Sequence, residues 1–507
     1  MNIKNIIKEN LTYTIDLGKG GVAYSYTGIS RHSFIDACNL ISENRYERKS
    51  NYMIANNEVR EFVCGDDYII AMHYPHMQEM QIVTEKNSPF PSYKNIMTDF
   101  RCKSSITQIA LEDFGLSYVI KLGDGRFIII DGGWEFEIEA DKIMNCLNEQ
   151  SPFEKPIIAA WIMTHPHLDH YRCFMPFVQK YADNVVIESL IYSFPDTNNE
   201  QPILQKLFEC EAKEKEHILR FGNKVAEMGI PTYVPHTGQI YNISNAHIEI
   251  LSAPEDMFYE EIDDYNKISL IFKMTLEGQT VLWCGDAYYK QARLALRWGG
   301  YLKSDILQVP HHGFCGGEPE EYDIINPDVC MWTVSQEDGY VRIDEYQPNS
   351  HYLMHNVDVK EHICSDDNVV LPMPYTPNPN GKKIHNDKME KAQKSIGATS
   401  WFFDDMSKEE CKFTFMCSLS SSNIEVYADL YFKQPKDFVQ NIKITLKPFC
   451  LNKIDLFNPE DADPHAMYFD RSTLKVKGMP ENERFGIHFK SDKPFVVSGC
   501  KKEVYHD

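Results

Sequence analysis

The spacing of apolar positions changes several times along the chain, and each change marks an element. Between Ser33 and Asn44, the residues Phe34, Ala37, Cys38 and Ile41 recur at helical spacing. Apolar runs follow at Tyr52–Ala55, Arg60–Cys64, Tyr68–Tyr74 and Met80–Val83, separated by Asn-Asn, Gly-Asp-Asp and a proline-containing turn, which predicts strands. Ser88-Pro89-Phe90-Pro91-Ser92 reads as a linker. Residues 1–100 are therefore expected to form a small α/β unit.

A different texture begins after residue 100. Ser117–Lys121 and Arg126–Ile130 flank Gly123-Asp124-Gly125, a hairpin signal, and the second strand runs into Asp131-Gly132-Gly133. Ala140, Ile143, Met144 and Leu147 form one helical face. Ile157 to Met163 is continuously apolar and reads as a buried strand. Phe174, Met175, Phe177, Val178 and Tyr181 suggest the next helix. One long helix is then expected from Pro202 to Gly229, with the Glu/Lys run 211–216 as its solvated face. His247–Ser252, Ser269–Thr275 and Thr280–Cys284 read as strands, the last ending at Gly285-Asp286-Ala287. Ala287–Trp298 reads as a helix. Asp305–Pro310 is a strand that leads into His311-His312-Gly313, and Val329–Val334 is another. This mixed α/β region is expected to span 101–375. After the Pro/Asn/Gly-rich stretch 374–381, regularly spaced short strands in 376–507 predict a β-rich, sandwich-like domain.

The chain has 507 residues, 43% of them hydrophobic and 12% aromatic, as in a folded globular protein. Lys plus Arg number 51 against 74 Asp plus Glu, a net charge of −23. Such an acidic surface argues against avid binding to duplex nucleic acid. Fourteen cysteines without a C-x-x-C pair, and a polar N-terminus, suggest free thiols in a reducing cytoplasm. No apolar run approaches a membrane span, so no membrane partner is expected. A homo-oligomer through the C-terminal domain is compatible with the composition.

The candidate chemistry lies at strand ends. Thr164-His165-Pro166-His167-Leu168-Asp169-His170 follows the strand 157–163 and packs three imidazoles and a carboxylate into six residues. Neutral imidazole and carboxylate are ligands for zinc, iron or manganese. Asp286 and His311-His312 end two further strands. Three such ends outweigh a reading of each as ordinary loop residues.

These motifs, with Asp131-Gly132-Gly133, resemble those of the metallo-β-lactamase-fold hydrolases. Gly285-Asp286-Ala287 followed by Asp305–Gly313 is similar to the hydrolase domain of the competence protein ComEC and its free-standing relatives. Asn326-Pro327-Asp328-Val329 and Gln347–His351 resemble segments that come later in those proteins. The resemblance covers about 105–375. It implies a four-layer αββα sandwich holding two divalent ions, zinc first, with manganese and iron as alternatives. Carried over, His165 and His167 belong to the first ion, and Asp169 and His170 to the second. Asp286 bridges the two, and His312 or His311 completes the second site. Asp169 would orient the attacking water and pass on its proton. Asp131, Thr164, Asn266 and His351 would support the ligands from outside. Two departures stand out. The loop 254–268, where many relatives supply a third histidine, offers Glu255, Asp263, Asp264 and Asn266 instead, and His236 lies before the strand. Tyr171-Arg172 replaces small residues and is expected to narrow the pocket or, through Arg172, to contact an anionic substrate. The implied activity is metal-dependent hydrolysis of a small-molecule or phosphoester substrate, with a phosphodiester favoured. The rival is a binding or regulatory module with a degenerate site.

Overall fold

The computed structural model describes residues 10–86, 88, 101–257, 262–288, 293–336, 340, 343–344, 347–378, 411–418, 421–432, 439–448, 451–455, 468–470, 475–477, 485–491, 493 and 495–503. The linkers expected at 88–92 and 374–381 lie partly outside these residues, as does the start of the helix expected at 287–298, of which Arg293–Trp298 is described. The chain forms two compact units, 1–340 with 352–383, and 341–351 with 384–507. The boundary expected near residue 100 thus separates sheets within one unit.

Alternating apolar residues in the N-terminal segment build a six-stranded antiparallel sheet, in the order Leu11–Gly18, Gly21–Thr27, Glu79–Glu85, Asp67–Tyr74, Asn57–Cys64, Glu47–Ile54. Helix Arg31–Glu43 lays Phe34, Ala37, Cys38 and Ile41 against Phe62, Ile69, Ala71 and Ile82. Ser30 caps it, its hydroxyl accepting from Ser33 N at 3.1 Å.

Two further sheets form the centre of the first unit. One has eight strands, with the path Thr232–Tyr233, Leu190–Ile191, Ile157–Ile162, Phe127–Asp131, Ser117–Lys121, Ser105–Gln108, Val369–Pro372; Val186–Ile187 pairs beside Ile157–Ile162. The other has seven, ordered Ile240–Ile243, Ala246–Ser252, Ile271–Leu276, Gln279–Trp283, Ile306–Gln308, Val329–Met331, Glu361–Ile363. The strand period of two divides the first sheet's side chains between two cores. Ile128, Ile130, Ala160 and Ile162 meet Ile248, Ile250, Phe272 and Trp283 of the second sheet. Phe127, Ile129 and Trp161 face outward onto Ile143, Leu147, Phe174, Phe177 and Phe221, which lie on helices. Such packing, with helices over sheets that face each other, is the αββα plan.

One expected helix is two. Pro202–Cys210 and Ala212–Met228 break at Glu211 (φ −113°, ψ 41°), and Gly229 ends the second in the left-handed region. The run 211–216 is consequently not all solvated, because Glu214 turns inward. The second unit is β-rich among its described residues. Two three-stranded sheets are ordered Leu451–Asp455, Cys411–Ser418, Phe495–Glu503 and Val439–Leu446, Ile424–Phe432, Phe485–Lys490. No helix among the described residues is long and apolar enough to cross a membrane.

Candidate metal centre

The parallel pairing of central strands brings the polar motifs to one edge. Phe127–Asp131 and Ile157–Ile162 run parallel with Ile130 opposite Ile162, so Asp131 ends beside Thr164. In the other sheet Gln279–Trp283, Ile306–Gln308 and Val329–Met331 are parallel, and their carboxyl ends deliver Asp286, His311-His312 and Thr333. Leu270 N donates to Thr164 O at 2.9 Å across the two sheets.

Asp131 organises the histidine loop. It is fully buried, with φ 53°. Its Oδ1 accepts from Thr164 N at 2.7 Å, and its Oδ2 accepts from Thr164 Oγ1 at 2.6 Å and His170 Nδ1 at 2.8 Å. The last bond turns His170 Nε2 toward Asp286 Oδ2, 3.1 Å away. Gly285 has φ 53°, and a Cβ there would lie 2.9 Å from Thr164 Cβ, so only glycine lets the Asp286 loop approach. That loop is held by Gln308, whose Oε1 accepts from Cys284 N and Gly285 N at 2.8 Å each, and by Ser269 Oγ, which accepts from Asp286 N at 3.1 Å.

Asp169, His170, Asp286 and His312 are all buried, and each offers a ligand atom within 4.8 Å of the others. His312 Nε2 is 3.1 Å from Asp169 Oδ2 and 3.2 Å from Asp286 Oδ2, and its Nδ1 lies 2.6 Å from Thr333 Oγ1. His165 Nε2 is 3.1 Å from His167 Nδ1, and His165 Nδ1 is 3.1 Å from Thr164 Oγ1. His167 Nδ1 is 2.6 Å from Asn266 Oδ1, while its Nε2 faces Glu211 at 3.6 Å and Asp264 at 3.7 Å. The helix break at Glu211 thus places a carboxylate behind a candidate ligand.

Electrostatics follow from this crowding. Burial opposes charge on His170 and His312, yet Asp286 and Asp169 outweigh it. His170 is held well above the usual imidazole range and His312 at about 9. Burial likewise opposes ionisation of Asp286 and Asp169, but His170 and His312 keep both below the usual carboxylate range. His165, buried beside His170, is pushed well down. His170 Nε2, His312 Nε2 and Asp286 Oδ1 are buried with no hydrogen-bond partner. Unpartnered buried polar atoms are costly, and a cation that takes the place of the imidazole protons would satisfy all three. The donor set is nitrogen and oxygen, which fits a divalent transition ion.

Three expectations change, those for Tyr171, Arg172 and His351. Tyr171 does not line the site; it is 1% exposed and packs on Phe194 and Phe221. Arg172 is tied to Glu214 Oε1 at 2.7 Å rather than free for an anion. Asn266, expected to support a ligand from outside, has its Oδ1 2.6 Å from His167 Nδ1, and its backbone N donates to Asp264 Oδ1 at 2.8 Å. His351 belongs to the second unit, where its Nδ1 donates to Asp344 Oδ1 at 2.9 Å. His236 sits in a separate buried ion cluster, 3.1 Å from Glu85 and 3.4 Å from Glu255. Gln308, Thr333, Ser269 and Glu211 escaped the sequence reading. Only Gln308 carried a signal there, as an amide inside an apolar strand.

Residues 110–243 match the family model of the Metallo-beta-lactamase superfamily. Over this span the chain is similar to that superfamily. The matched span includes His165, His167, Asp169 and His170, and Asp286 and His311-His312 come after it. No curated protein matches the sequence. Among solved structures, the metallo-beta-lactamase fold protein YhfI from Bacillus subtilis is 12% identical, with a TM-score of 0.33 over 52% of this chain and 98% of its own. A protein from Parabacteroides distasonis, described as a metal-dependent hydrolase, is 11% identical, with a TM-score of 0.27 over 60% and 97%. CmlA, a diiron beta-hydroxylase from Streptomyces venezuelae, is 11% identical, with a TM-score of 0.33 over 54% of each chain. Phe114, inside the matched span, lies at the site, its ring 5.5 Å from that of His312.

Proposed function

We propose that this protein is a metal-dependent hydrolase acting on an ester-type substrate, with a phosphodiester as the favoured class. The observation that carries the reading is the convergence of His170 Nε2, His312 Nε2 and Asp286 Oδ1, all buried and without a hydrogen-bond partner. His165 and His167 would hold one divalent ion, and Asp169, His170 and His312 a second, with Asp286 between them. Zinc suits these donors, as do manganese and iron. Bound divalent ions supply Lewis acidity and water of lowered pKa.

The chain's own residues do the rest. Asp169, kept ionised beside His312, would take the proton of the attacking water and return it to the leaving oxygen. Asp131, Thr164 and Thr333 fix the ring orientations through the outer nitrogens of His170, His165 and His312. The phosphodiester preference rests on the likeness of 285–313 to ComEC-type hydrolase domains. Asn266, at the place where many relatives carry a histidine, favours the rival reading of a degenerate binding module.

Metal analysis of the purified chain, coupled to cleavage of bis-p-nitrophenyl phosphate and carboxylic ester probes, tests the choice. Asp286→Ala is expected to remove metal and turnover together. Turnover retained in that variant would place the reaction elsewhere. Wild-type protein that takes up no zinc or manganese and cleaves no probe would leave the binding module.

A further inference from the structure

The two adjacent histidines divide between the two ions. Around Asp286 Oδ2 the imidazole Nε2 atoms fall into a near pair, His170 at 3.1 Å and His312 at 3.2 Å, and a far pair, His165 and His311 at 3.9 Å each. The near pair shares Asp169, whose Oδ2 is 3.8 Å from His170 Nε2 and 3.1 Å from His312 Nε2. The far pair is joined through the Asn266 amide and His167. Asn266 Nδ2 is 3.3 Å from His311 Nε2, and Asn266 Oδ1 is 2.6 Å from His167 Nδ1, itself 3.1 Å from His165 Nε2.

We propose that His311 is a ligand of the first ion, standing with Asn266 in place of a third histidine from the loop 254–268, while His312 serves the second. This rests on the metal-dependent reading above. The backbone supplies an independent argument. Successive side chains on an extended strand point to opposite sides. Here His311 (φ 51°, ψ 44°) and His312 (φ 54°, ψ 7°) are consecutive left-handed residues, a conformation costly for any side chain with a Cβ. It turns both rings toward Asp286, and His311 N donates to Gly285 O at 3.0 Å to hold the turn against the Asp286 loop. A left-handed pair is unnecessary if one ring alone is a ligand. The two rings are not equally supported. His312 Nδ1 has Thr333, whereas His311 Nδ1 is buried without a hydrogen-bond partner. Outer partners raise ligand basicity and fix the ring, so the first ion is the weaker one.

The test uses the full chain, stripped of metal and titrated with zinc by calorimetry and with cobalt by visible absorption. Wild type is expected to bind two ions in distinguishable events. His311→Ala should abolish the weaker event or reduce its affinity by more than the ~10–100-fold that loss of an outer partner produces, leaving the tighter event within about threefold of wild type. His312→Ala should weaken the tighter event. Asn266→His added to His311→Ala should restore the weaker one. His311→Gln provides the same comparison if the alanine variant does not fold. Two ions bound at unchanged affinity in the His311 variants would overturn this assignment and leave the hydrolase reading standing. A wild-type chain that binds no ion would overturn the reading beneath it.

Discussion

Asp131 touches no proposed ion, yet its replacement should be among the most damaging changes to the centre. Its carboxylate accepts three hydrogen bonds from fully enclosed donors, Thr164 N, Thr164 Oγ1 and His170 Nδ1. In Asp131→Ala the Thr164 hydroxyl can turn to His165 Nδ1, 3.1 Å away, and His170 Nδ1 keeps only Thr164 Oγ1 at 3.4 Å, while the Thr164 amide loses its partner. The buried amide left unsatisfied costs roughly 1–3 kcal/mol of folding stability. Loss of the bond that orients His170 should weaken the ion it would hold by about 10–100-fold. Asp131→Asn separates these effects. If its oxygen accepts from Thr164 N, its amide meets His170 Nδ1, and the ring must move its proton to Nε2, the atom that faces Asp286. The reverse orientation sets the amide against the Thr164 N–H, where a 2.7 Å hydrogen bond now stands. The asparagine variant should therefore keep more stability than the alanine variant while losing comparable metal affinity. Urea denaturation and zinc calorimetry on the same preparations measure both quantities. An Asp131→Asn protein that binds zinc within threefold of wild type would refute the argument that this bond sets the His170 tautomer.

Two further outcomes follow from residues outside the centre. Arg172→Ala should reduce stability by about 3–5 kcal/mol, because it strands the buried Glu214 carboxylate, and should leave KM for any cleaved probe unchanged; a raised KM at unaltered stability would return Arg172 to a substrate-binding role. For His236, burial disfavours the charged ring, but Glu255 and Glu85 raise its pKa to about 10. The folded pKa exceeds the unfolded one, so the stabilisation is fully present below about 6.5 and is lost as pH rises toward 10, a few kcal/mol at ~1.4 kcal/mol per unit. Unfolding midpoints should fall more steeply between pH 7 and 10 for wild type than for His236→Gln, and parallel profiles would disprove the linkage.

How much was legible in the chain depends on the range of the interaction that decides each feature. A buried parallel strand demands an unbroken apolar run, so Ile157–Ile162 and its abrupt ending in Thr164–His170 could be read directly. The helix break at Glu211 could not, because Glu211-Ala-Lys-Glu-Lys-Glu216 are all good helix formers. What turns the chain there is tertiary, with Glu214 drawn to Arg172 and Glu211 facing His167. Tyr171 and Arg172 were misplaced for a related reason. Two residues between a metal loop and helix Phe174–Tyr181 show no periodicity, and only the folded chain reveals that Tyr171 faces the Phe221 cluster. The N-terminal strands Leu11–Gly18 and Gly21–Thr27 did carry a signal, the Gly18-Lys19-Gly20-Gly21 turn between alternating segments.

The His311-His312 pair shows why a ligand list falls short of a site. Strand alternation would send these rings to opposite sides, and choosing one of them as the ligand is the natural consequence. The left-handed backbone removes the need to choose. That backbone depends on its neighbours, since His311 N is held by Gly285 O, and Gly285 can approach only because it lacks a Cβ that would strike Thr164. Thr164 in turn is fixed by Asp131. The chain of dependence therefore runs from one sheet's strand end, through the histidine loop, into the other sheet's Asp286 loop and on to the paired histidines. Each link is a hydrogen bond or a close contact between residues more than a few positions apart. The metal-binding geometry is accordingly a property of how the two sheets meet, and a substitution at any of these joints should alter metal affinity before it alters the fold.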